Sequence, residues 1–175
     1  MGWLRPVLTV ALVVTALLLE LTVLPLFHLP GAVPDLLTVT VIAIGFVGGP
    51  VRGAATGLFA GLLLDLVTPA VGVIGLSAVV LVVLGYFAGL LGGDRDRSPF
   101  VTVVLTGLLA GASTLGFALV GGIVADPRIS WDRVPGLVLT QTAYALVLAA
   151  FVVPGVGALW RRVDPPAPRY EVGRQ

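Results

Sequence analysis

Three carboxylates stand where an apolar chain would least tolerate an idle charge. Glu20 lies inside VTALLLELTVLPL, Asp35 opens the run PDLLTVTV, and Asp65 closes the run GLLLDL. An ionisable group at membrane depth is costly, so each is a site candidate by default. Glu20 reads as a ligand for a partner, ion or substrate, or as a bundle-facing group bonded to another helix. Asp65 reads as a fixed polar contact with a loop or partner, or as a plain helix end in the headgroup region. Asp35 follows Pro34, and a proline with an acidic side chain in a first helical turn satisfies free backbone N–H groups. Capping is therefore its plainer reading. His28 is the one histidine and cysteine is absent, so zinc or haem would lack its usual ligands. None of Ser77, Ser98, Ser113 and Ser130 has a histidine nearby in sequence. P-loop, HExxH, GxSxG and dinucleotide patterns are all missing. The chain is expected not to be an enzyme, with no catalytic residue, cofactor or metal.

The elements that carry these groups are apolar throughout. Of 175 residues, 58% are hydrophobic and 11% charged, whereas a soluble domain carries roughly 25% charge. So few charges could not cover a water-facing surface, but they suit one that faces lipid. Six apolar segments follow one another, at 6–29, 34–49, 51–68, 70–91, 99–124 and 135–159. A membrane helix needs about 20 such residues. The first segment is longer than a signal-peptide core and lacks a small-residue cleavage pattern, so it reads as a retained helix. The expected fold is an all-α integral membrane protein. A six-transmembrane-helix bundle occupies 1–160, and a short disordered cytoplasmic tail occupies 161–175. The link between segments two and three, GGPVRG at 48–53, reads as a tight turn.

All ten basic residues are arginine, and their placement sets an orientation. Arg5, Arg52, Arg95, Arg97, Arg161, Arg162, Arg169 and Arg174 fall on one side of six spans, and Arg128 and Arg133 on the other. Basic residues in short loops accumulate on the cytoplasmic side, so both termini are expected in the cytoplasm of a multi-pass plasma-membrane protein. Arg52 reads as a topology marker. Trp3, Trp131 and Trp160 fall at expected span ends, where indoles anchor in the headgroup region. Arg161 and Arg162 lie where anionic lipid could meet them. No basic stretch interleaved with aromatics points to nucleic acid.

Glycine, at 23 residues, recurs at four-residue spacing. Gly53, Gly57, Gly61 and Asp65 share one face of segment three. Gly85 and Gly89 repeat the spacing, as do Gly107 and Gly111. Lipid gives helices little hydrophobic reason to associate, and small residues let their backbones approach. The plain reading is packing of the chain's own helices. The sharper reading is a docking face for another membrane protein, whose disruption would abolish complex assembly rather than insertion.

The stretch 33–93 resembles the bacterial rod shape-determining protein MreD family. The resemblance rests on Pro34, Asp35 and Leu36 opening the second helix, on Gly61, Leu62 and Asp65 closing the third, on Gly72 and Gly75 beyond it, and on the pair Gly85 and Tyr86 late in the fourth. It covers about a third of the chain, and the Gly-, Val- and Arg-rich composition looks like an actinobacterial version. The resemblance implies a non-enzymatic subunit of the complex that directs lateral peptidoglycan synthesis and cell shape. Its implied partners are MreC, MreB, RodA and a transpeptidase. It also implies a fold similar to the six-helix substrate-binding subunits of energy-coupling-factor transporters. The alternative function is therefore capture of a vitamin or small molecule for transport. Glu20, Asp65, Thr38, Thr40, Gln141, Thr142 and Tyr144 are the polar groups such a pocket could draw on.

Overall fold

Local chemistry explains where each helix stops. In the computed structural model, which describes residues 3–27, 34–67, 75–93, 98–123 and 130–163, the first helix, α1, spans Leu4–Thr22. Pro25 lacks an N–H and its ring crowds the preceding turn. The chain accordingly tightens into a 3-10 turn at Leu24–Phe27. Helix α2 spans Leu36–Gly48 and ends at Gly49, whose φ of 84° few residues with a side chain adopt. Pro50 then opens α3, Pro50–Val67, at a position where its missing N–H costs nothing. The expected turn at 48–53 thus shrinks to Gly49 alone, and Arg52 sits in the first turn of α3. Helix α4 is Leu76–Leu91, α5 is Pro99–Ile123 and α6 is Val134–Val163. No strand occurs among the described residues.

Four of these helices are long and apolar enough to cross a membrane: α1 with its 3-10 extension, α3, α5 and α6. The other two are shorter than the segments that announced them. Helix α4 has 16 residues and α2 has 13. At 1.5 Å per residue α2 is about 20 Å long, against a hydrocarbon core of about 30 Å. Helix α6 runs three residues past the expected boundary at 160, and 164–175 lie outside the described residues. So do His28, Gly72, Arg95, Arg97 and Arg128.

Helix α2 is apolar on every side, the pattern of a helix enclosed by others. Every residue from Leu37 to Gly45 is buried. Helices α1, α3, α4, α5 and α6 all pack on it. Leu37, Val39, Val41, Ile42 and Ile44 form a core with Val13 and Leu17 of α1, Leu81 and Leu84 of α4, and Ala145 and Ala149 of α6. Large apolar side chains also cover the outside. Leu18, Leu58, Phe87, Leu108, Leu119, Leu139 and Phe151 are exposed on five different helices. That surface, with the four long helices, is compatible with a membrane protein.

The tryptophans divide. Trp3 and Trp131 are exposed at helix ends, as interfacial anchors require, whereas Trp160 is buried and belongs to the core.

Candidate functional site

The carboxylates meet helix ends. A helix leaves its first N–H groups without partners, and α2 is surrounded by protein, where an unsatisfied donor is expensive. Asp35 is its N-cap. Its Oδ1 accepts the Thr38 N–H at 2.6 Å, and its Oδ2 accepts the Thr38 hydroxyl. Glu20 reaches across from α1, and its Oε2 accepts the Leu37 N–H at 2.8 Å. Two acidic side chains therefore serve the N-terminus of one enclosed helix, the end where the helix dipole favours negative charge. Asp65 does the same work for α4, because its Oδ2 accepts the N–H of the N-cap residue Gly75 at 2.8 Å. Gly75 itself has a φ of 99°. Asp65 thereby ties the last turn of α3 to the first turn of α4, across the connection at 68–74.

Replacement of Asp65 should separate hydrogen bonding from charge. Asp65→Asn keeps an acceptor and should cost well under 1 kcal/mol, while Asp65→Leu should cost about 0.5–2 kcal/mol, the range for losing a helix cap. Limited proteolysis between 68 and 74 in detergent reads the difference, with Asp65→Leu cut faster than Asp65→Asn. Equal cutting of both variants would show that the charge, and not the cap, matters.

The glycine face is closed by α4 of the same chain. A side chain at Gly53 would strike the Gly85 carbonyl, one at Gly57 the Leu81 carbonyl, and one at Gly61 the Ala78 backbone. Gly85 in turn faces the Gly53 carbonyl, and Gly89 faces Gly49 and Pro50. As the position rises by four on α3, its partner falls by four and then by three on α4, which is the register of an antiparallel pair. The neighbour in every case is backbone, so no rotamer change could make room. This seam fills the glycine face of α3 with a helix of the same chain. Tyr86 points the other way: it is exposed and makes an edge-on contact with Phe87, ring centroids 6.1 Å apart. Gly107 and Gly111 pack instead against Leu146 and Thr142 of α6.

Two further threonines bond locally. Thr40 donates to the Leu36 carbonyl and Thr142 to the Val138 carbonyl, each within its own helix. Every buried side-chain nitrogen or oxygen among the described residues has a hydrogen-bond partner. Glu20 and Asp35 converge with Thr38 on one helix end, while Asp65 serves another. Gln141 is buried in α6, and Thr142 faces α5. The described residues include no group of three or more potential metal ligands.

Sequence reasoning missed one constellation. A cleft of about 420 Å³ is lined by Arg5, Pro6, Thr9 and Val10 of α1, Arg52, Ala55 and Thr56 of α3, and Trp160 of α6. The Arg52 guanidinium lies 6.0 Å from the centre of the Trp160 ring. No family model, curated protein or solved structure matches the chain. The only advance signal for the cleft was that its two arginines and its tryptophan share the arginine-rich side.

Proposed function

We propose that the chain is a non-enzymatic subunit of the bacterial wall-elongation complex. In this reading it crosses the inner membrane six times, with both termini in the cytoplasm. It acts through contacts with MreC, RodA, a transpeptidase and MreB. One observation supports the reading more than any other. Asp35, Gly61, Asp65, Gly75 and Gly85, which carry the resemblance to the MreD family, also build the α2–α3–α4 unit. A family pattern made of caps and close-packed glycines is what a scaffold keeps, since its task is to hold a shape that partners recognise. Capture of a vitamin is less well supported, because Glu20, Asp65, Thr38, Thr40 and Thr142, five of the polar groups it would use, are bonded to helix ends and helix backbones. The exposed apolar faces of α1, α5 and α6 leave room for lipid and for partner helices.

Topology and phenotype test this jointly. The chain has no cysteine, so single cysteines at Gly31, Arg95, Arg128 and Gln175 report sidedness without background. Labelling from outside is expected at 31 and 128 and not at 95 and 175. Depletion in a rod-shaped host should round the cells before growth stops. External labelling at 175, or depletion that leaves rods unchanged while uptake of a small molecule fails, would overturn the proposal.

A further inference from the structure

We draw no further inference here: the strongest candidate, the carboxylate cluster of Glu20 and Asp35 at the N-terminus of α2, belongs to the capping arrangement already described, bonded to the Leu37 and Thr38 N–H groups and the Thr38 hydroxyl, and nothing in the structure points to a ligand there.

Discussion

Gly57→Leu is expected to unfold the α3–α4 pair, while Gly136→Leu is expected to leave the protein intact. Both replace a helical glycine with the same side chain, so helix propensity and apolarity change equally. The surroundings differ. At Gly57 even one added carbon overlaps the Leu81 carbonyl, whereas at Gly136 nothing lies within 4 Å. Relief at Gly57 requires the two helices to separate, because the obstructing atoms are backbone. Separation forfeits the dispersion contacts that hold helices together where lipid supplies no hydrophobic drive. Overpacking costs about 1–3 kcal/mol even where side chains can give, so Gly57→Ala should lie near the top of that range and Gly57→Leu beyond it. Gly136→Leu should be neutral or stabilising, by at most about 1 kcal/mol, the usual penalty of a helical glycine. Thermal unfolding in detergent, followed by tryptophan fluorescence, ranks the three. A Gly57→Leu protein as stable as Gly136→Leu would show that the seam is not close-packed.

The second large effect is expected at Glu20. Glu20→Leu removes the acceptor of the Leu37 N–H, and Leu37 is fully buried. A buried donor left unsatisfied costs about 1–3 kcal/mol. Glu20→Gln keeps an oxygen in place and should cost less than half as much. Asp35→Ala should cost about 0.5–2 kcal/mol as a lost cap. Because both residues serve one helix end, the Glu20→Leu and Asp35→Ala costs should not add. The same unfolding measurement gives all four values. If Glu20→Gln and Glu20→Leu both unfold like the unaltered chain but both abolish function, Glu20 acts on a partner and not on α2.

These two effects also mark how far the sequence could be read. A proline and an acid before an apolar run are a local signal, so Asp35 could be recognised as a helix cap from its neighbours alone. The glycine stripe of α3 was visible from its spacing, but its occupant was not. The register against α4 depends on how the chain returns after Asp65. Glu20 gave no hint of its partner, which lies 17 positions away. Trp160 resembled the other two tryptophans in sequence. Only the packing of α2 against α6 separates it from them, by setting the Gly48 end of α2 against its ring, with Arg52 of α3 reaching over it.

The central claim is that the bundle serves wall elongation. Affinity purification of the tagged full-length chain from its own membranes, in mild detergent and with partners identified by mass spectrometry, tests that claim most directly. The account predicts that MreC and RodA are enriched with the unaltered chain, and that both are lost from Gly57→Leu through collapse of the α2–α3–α4 unit. Enrichment of ATP-binding transporter subunits, with no wall-synthesis protein, would contradict it.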